Sequence, residues 1–285
     1  MTHAGSAPRQ SVTTLFHCSD LHFGHPAVPQ QYEAIEELIE ARQYDVVAIS
    51  GDVTQRARAG EFQRARSFIR RAEKAGCEVI VVPGNHDVAW WHAPLGFGKP
   101  ASMYRKYRAY INEDIEPVLR IAGATFVGLN TSQGVIRQTL TWNLRDISII
   151  GHLTRQQIDH ARAEFEASRA GDARIIVMHH NPVKGELSQR HGLKNTQRIL
   201  GAFAEMGVDL VLCGHDHQEA VHYIEHTKRG TVISTSGTIS NRVRGGRPSS
   251  VNSIRITATE IEVSTMVWSS EASNFVAAQS KCFKR

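Results

Sequence analysis

Apolar residues along this chain gather into short runs, and five of those runs stop abruptly at a polar cluster. Thr14-Leu15-Phe16-His17-Cys18 leads to Asp20-Leu21-His22, and Asp45-Val46-Val47-Ala48-Ile49-Ser50 leads to Gly51-Asp52. Glu78-Val79-Ile80-Val81-Val82 leads to Gly84-Asn85-His86-Asp87. Residues 174–178 lead to His179-His180-Asn181-Pro182, and residues 209–213 to Gly214-His215-Asp216-His217. Between the first three runs the spacing turns helical, with Tyr32, Ile35, Leu38 and Ile39 on one face of 31–42. Phe62, Ala65, Phe68, Ile69 and Ala72 do the same, and Gly76 closes that helix. Strands alternating with helices predict an α/β fold with a mainly parallel sheet covered on both faces.

Residues 88–120 break the rhythm with Trp90, Trp91, Pro94, Gly96, Gly98 and Pro100, then the basic aromatic stretch Tyr104-Arg105-Lys106-Tyr107-Arg108-Ala109-Tyr110. An insertion directly after a polar loop suits a lid or substrate wall, and Trp90, Trp91 and Tyr104 are candidate contacts for a base. The competing expectation is a surface helix that buries its Tyr rings and solvates its Arg heads. Gly96-Phe97-Gly98-Lys99 is no phosphate loop, because Pro100 stands where a Ser or Thr hydroxyl is needed. Residues 124–150 predict two strands around Asn130-Thr131-Ser132-Gln133-Gly134. Thr154 caps a helix reaching about Arg169, and Thr196–Met206 predicts another. The segments 220–226, 231–236, 251–257 and 260–267 alternate like antiparallel strands and predict a second sheet packed on the first. The expected organisation is a loose N-terminus over 1–11, one domain over 12–270 with a candidate lid at 88–120, and a tail over 271–285.

With 285 residues and 41% hydrophobic content the chain can bury a large core. The net charge of +5 suits acidic ligands such as phosphates and leaves nucleic acid a weaker expectation. Cys18, Cys77, Cys213 and Cys282 form no CxxC pattern, which fits reduced thiols. No apolar run approaches the roughly 18 residues of a membrane span, and no signal peptide is recognisable, so a cytoplasmic protein is expected. A homodimer is one option for its assembly.

In open α/β sheets a site lies beyond the carboxyl ends of the strands, so five polar clusters at five strand ends converge. Asp20 and His22, two apart in extended chain, face the same way, as do His215 and His217. Carboxylate oxygens with imidazole nitrogens suit Mn²⁺, Fe²⁺ or Zn²⁺, and the lack of cysteine in the clusters argues against structural zinc. Asp20, His22, Asp52, Asn85, His179, His215 and His217 exceed what one tetrahedral ion takes. They point to two divalent ions bridged by Asp52, a clamp that activates a water for phosphoryl displacement. His86 is left over as a proton donor to the leaving group.

These motifs, Asp20-Leu21-His22, Gly51-Asp52, Gly84-Asn85-His86-Asp87, His179-His180 and Gly214-His215-Asp216-His217, resemble those of the calcineurin-like metallophosphoesterases. The chain looks most similar to bacterial class III cyclic nucleotide phosphodiesterases, which share the Ser19-Asp20-Leu21-His22 opening and the Asn85-His86 pair. The resemblance implies a four-layer α/β/β/α sandwich. It implies one ion held by Asp20, His22, Asp52 and His217 and another by Asp52, Asn85, His179 and His215. It further implies that His86 contacts the phosphate and leaving group, with Asp87 orienting it. His179, first after its strand, is taken as the ligand, and His180 as a residue near the substrate.

The expected activity is hydrolysis of a small phosphodiester or cyclic nucleotide. Val53-Thr54-Gln55-Arg56 lacks the tyrosine of purple acid phosphatases and the Val-Asp-Arg-Gly of protein phosphatases. UDP-2,3-diacylglucosamine pyrophosphatases of lipid A synthesis share the opening motif but commonly carry Arg where His86 stands, which ranks that activity second, alongside a nuclease. A scaffold that has lost catalysis would have no chemical need for these ligands or His86.

Overall fold

The computed structural model describes residues 12–89, 100–133, 150–186, 192–226 and 229–285. The first half supplies β1 (Thr13–Cys18), α1 (Pro29–Arg42), β2 (Val46–Ile49), α2 (Ala59–Lys74) and β3 (Glu78–Val81). Then come α3 (Pro100–Met103), α4 (Arg105–Tyr110), β4 (Val118–Ile121), β5 (Ala124–Leu129), α5 (Arg155–Glu166) and β6 (Ala173–His180). The chain ends with α6 (Thr196–Glu205), β7 (Leu210–Gly214), β8 (Ala220–Ile224), β9 (Thr231–Thr235), β10 (Ser250–Ile256), β11 (Glu260–Ser269) and β12 (Asn274–Lys284).

Two mixed sheets result, in the orders β12-β11-β10-β1-β2-β3 and β4-β5-β6-β7-β9-β8. Successive residues of one strand serve different layers, which is why the apolar runs do not alternate with polar residues. Leu15, Val46, Ala48 and Ile80 face the other sheet and meet Phe126, Ile175, Val177, Leu210 and Leu212 there. Their neighbours Phe16, Val47 and Ile49 face outward onto Ile35, Ile39, Phe62 and Phe68 of α1 and α2. On the far side Val127, Ile176 and Met178 pack against Ile158, Phe165, Ile199 and Phe203 of α5 and α6. The layers are therefore α/β/β/α. Thr154 caps α5, accepting the Gln157 N–H at 3.2 Å, while the Gln157 side chain accepts the Thr154 N–H at 2.8 Å.

The structure corrects three expectations. The late strands do not form one antiparallel sheet: β10 and β11 extend the first sheet through Leu15↔Ile254 pairing, whereas β9 runs parallel to β7 in the second. Periodicity reports which residues face a core, not which neighbour a strand selects. Residues 274–284 are an edge strand paired to β11 rather than a tail, with Phe275 buried in the outer core. Finally, β4, an antiparallel partner of β5, begins inside the stretch read as an insertion. In that stretch Tyr104 and Tyr107 are buried while Arg105 and Lys106 are exposed, as a packed surface helix requires. The Tyr107 hydroxyl donates to the Val81 carbonyl at 3.0 Å. Trp90 and Trp91 lie outside the described residues, as does most of 130–150, where a second strand was expected.

Candidate metal centre

β1, β2 and β3 run parallel in one sheet and β6 and β7 parallel in the other, so the loops leaving their carboxyl ends meet. Backbone bonds lace them together: Asp20 N–H donates to Gly51 O at 3.1 Å and His22 N–H to Asp52 O at 2.9 Å. Asp20, His22, Asp52, His215 and His217 are five of the nine non-glycine residues with positive φ among the described residues. Asp and His tolerate this left-handed region better than most, yet each such residue still costs on the order of 1 kcal/mol. The paired residues thus converge by left-handed turns after the strands end, not by the alternation of extended chain. The glycines beside them leave room: a Cβ on Gly84 would lie 2.1 Å from Asp52 Oδ1, and one on Gly214 2.5 Å from Asp20 Oδ2.

Two groups of donors form around Asp52. In the first, His217 Nε2 lies 3.1 Å from Asp20 Oδ1 and 3.1 Å from His22 Nε2, and His22 Nε2 lies 3.6 Å from Asp20 Oδ1. In the second, His179 Nε2 lies 3.2 Å from Asn85 Oδ1 and 3.3 Å from His215 Nδ1. Asp52 Oδ2 stands between them, 3.3 Å from His179 Nε2 and 3.9 Å from His22 Nε2. All seven sequence-selected ligand candidates are brought together.

Backbone carbonyls set the imidazoles. His179 Nδ1 meets Ser50 O at 2.8 Å and His217 Nδ1 meets Arg242 O at 2.8 Å. A carbonyl only accepts, so each ring keeps a proton on Nδ1, and in its neutral form turns the Nε2 lone pair inward. Asp20 Oδ1, buried, has no hydrogen-bond partner. Lone pairs and buried carboxylates converging without enough protons fit divalent cations, and the mixed O/N donors suit a first-row ion. Burial opposes charge on Asp20, but His217 and His22 hold its carboxyl well below the usual range. Burial likewise works against His179, but the Asp52 charge and hydrogen bond raise it to about 10. His215 is pushed down to about 3 by burial and then by His179, which keeps it neutral.

His86 stands at the rim. Its N–H donates to Asp52 Oδ1 at 2.8 Å, its Nδ1 meets Gln55 O at 2.7 Å, and its ring packs edge-on against His22 at 4.9 Å. Asp87 does not touch that ring. Its carboxylate accepts from the N–H groups of Val53 at 3.1 Å, Thr54 at 2.8 Å and Gly84 at 2.9 Å, and from the Thr54 hydroxyl at 2.8 Å. Asp87 therefore pins the β2 loop to the β3 loop, and the expectation that it orients His86 gives way to Gln55 O. His180 meets Thr131 Oγ1 at 2.7 Å through Nδ1, its ring centroid lies 4.5 Å from that of His215 at a 45° tilt, and its Nε2 is buried without a partner. Its ring lies with those of His179 and His215 in a group that could itself hold a metal ion. Tyr104 is committed to packing, with its hydroxyl donating to Ser132 O at 2.7 Å.

Sequence reasoning passed over Ser50 and Gln55, which act through backbone carbonyls, and Thr238, whose hydroxyl donates to Asp20 O at 2.7 Å. Arg242 begins the basic stretch Arg242-Val243-Arg244-Gly245-Gly246-Arg247, whose charges by themselves suggest no more than a solvated loop.

The calcineurin-like phosphoesterase family matches residues 13–219, which includes every ligand candidate. A curated Synechococcus protein, named as a probable cyclic nucleotide phosphodiesterase, is 25% identical over 183 residues, covering 63% of this chain and 60% of its own length. The chain thus spans about three fifths of that relative. Among solved structures, the yellow lupin purple acid phosphatase PPD1 aligns with a TM-score of 0.71 at 11% identity, over 97% of this chain and 54% of the lupin chain. GAP50, the anchor in the inner membrane complex of Plasmodium, aligns at 0.60 and 12% identity over 96% of this chain and 89% of that one. At such identities the likeness is one of fold. No helix among the described residues is long and apolar enough to cross a membrane.

Proposed function

Because the chain belongs to the calcineurin-like phosphoesterase family, we propose that it is a phosphodiesterase using two divalent metal ions to hydrolyse a small nucleotide ester, with cyclic nucleotides as the leading substrate class. The observation that carries this is Asp52 Oδ2 standing between two histidine-rich donor groups, 3.3 Å from His179 and 3.9 Å from His22. On this reading Asp20, His22, Asp52 and His217 hold one ion and Asp52, Asn85, His179 and His215 the other. When bound, Mn²⁺, Fe²⁺ or Zn²⁺ would supply Lewis-acid charge to the phosphoryl oxygens and activate a water.

His86 performs the proton work. Nδ1 is engaged by Gln55 O at 2.7 Å, so the proton that His86 hands to the departing alkoxide leaves from Nε2, which must first take one up from solvent because it accepts from Arg242 at 3.2 Å in this structure. Asp87 and Gln55 hold the loops that aim this nitrogen. The fold alone does not decide for catalysis, since the Plasmodium anchor shares it. What supports an enzyme is a full donor set with His86 beside it.

The test is a hydrolysis panel on Mn²⁺-reconstituted protein with a chelator control. The panel holds bis-p-nitrophenyl phosphate, p-nitrophenyl phosphate, cyclic AMP, a UDP-sugar diphosphate and single-stranded DNA. Chelator-sensitive diester cleavage is expected, fastest on cyclic AMP among the natural substrates. Preference for the UDP-sugar diphosphate or DNA would move the substrate to the lipid-precursor or nuclease class, and absence of bound metal would overturn the proposal.

A further inference from the structure

Arg242 lies on the connection between β9 and β10, on a segment tied down close to the site. The Asn241 N–H donates to Pro26 O at 2.9 Å, Arg242 N–H to Ser240 Oγ at 3.3 Å, and Thr238 to the Asp20 carbonyl at 2.7 Å. The residue works at both ends. Its carbonyl receives His217 Nδ1 at 2.8 Å, while its guanidinium Nη1 reaches Gln55 Oε1 at 3.2 Å and His86 Nε2 at 3.2 Å. Gln55 matches it, with its side chain on Arg242 and its carbonyl on His86 Nδ1 at 2.7 Å.

A guanidinium has donors only, so in its contact with His86 the ring nitrogen Nε2 accepts. Two acceptors, one an amide and one an imidazole, leave the positive charge of Arg242 without an anion. Arg247, five positions on, is neutralised by Glu186 at 2.8 Å and Glu219 at 3.4 Å, whereas no carboxylate among the described residues lies within ion-pair distance of Arg242. A half-buried cation held beside donor groups that themselves await cations needs an anion shared between them.

We propose that Arg242 is the substrate-anion residue of this site: its guanidinium takes a non-bridging oxygen of the substrate's phosphoryl group and in doing so releases His86 Nε2, which is then free to take up a proton from solvent and give it to the leaving group. This rests on the phosphoesterase reading and assigns it a specificity-determining residue. Substrates are then selected for an anionic oxygen on the His86 side of the cleft, and inorganic phosphate, the simplest anion of that kind, binds through the same contact.

The experiment is calorimetric titration of inorganic phosphate into Mn²⁺-loaded wild type, R242A and R242K, with metal content measured on each and a thermal melt to confirm folding. R242A should weaken phosphate binding about 10- to 100-fold, the scale of losing charge-assisted hydrogen bonds, with metal stoichiometry unchanged. R242K, a point charge without the fork, should recover part of that loss. In steady-state assays R242A should raise KM for bis-p-nitrophenyl phosphate more than it lowers kcat. Equal phosphate affinity in wild type and R242A, no phosphate binding by wild type, or loss of metal from R242A would each overturn the proposal. Arg242-dependent phosphate binding without turnover of any ester would sink the phosphodiesterase reading and leave this assignment standing. Normal turnover with R242A indistinguishable from wild type would do the reverse.

Discussion

The Asp87 carboxylate holds Thr54 twice, by its backbone N–H and by its hydroxyl, each at 2.8 Å. With the N–H groups of Val53 and Gly84 added, a buried carboxylate accepting four hydrogen bonds from three residues fixes the Asp52 loop against the Asn85-His86 loop. Asp87→Ala leaves those donors orphaned and should cost about 3 kcal/mol or more of folding stability, read from the urea midpoint. Asp87→Asn keeps one acceptor oxygen and should fall between. Unaltered stability together with lost turnover would restore the expectation that Asp87 orients His86.

Asp52 faces both donor groups through one oxygen and the His86 backbone through the other, at 2.8 Å. Asp52→Ala should abolish the two-ion stoichiometry measured by metal analysis. Its activity loss should exceed the about 10- to 100-fold typical of an outer-shell partner. A variant that keeps two ions per chain would show that Asp52 is not the bridge.

On the proposed reading His86 holds neither ion, although it groups with His22 and Asp52 as a possible ligand. His86→Ala should retain full metal content while kcat drops about 10²- to 10⁴-fold on alkyl-type leaving groups and much less on nitrophenyl esters. Full turnover on the poor leaving groups would contradict its role as proton donor.

Cation binding at this centre should depend on pH through His179. Asp52 raises that imidazole to about 10 despite burial, so in chelator-stripped protein at neutral pH it carries a proton that a ligand cannot keep. His215, held near 3, has none to give. Mn²⁺ affinity should therefore rise with pH, and titrations in buffers of different ionisation enthalpy should show about one proton released per protein. In the stripped protein the same shift contributes stability that is complete below about pH 6.5 and is lost as the pH rises through about 10. A pH-independent affinity would mean that His179 is not a ligand.

The sequence by itself determined the strands that end at the centre, the helices that cover them and the residue types of the centre. Each apolar run is long enough to define a buried strand, and polar side chains directly after it can only emerge at that strand's end. The resemblance carried by those motifs extended this to the four layers. Tertiary structure alone decided the rest. Whether β10 joins β1 or β9 joins β7 depends on long-range pairing that local periodicity does not encode. The left-handed turns at Asp20, His22, Asp52, His215 and His217 replace the extended geometry that alternation suggests, because the packed loops over-determine backbone that no local preference would choose. The supports of the site are the carbonyls of Ser50, Gln55 and Arg242. Every residue carries a carbonyl, so nothing in its identity announces the role, and only the fold brings these three to the imidazoles they set.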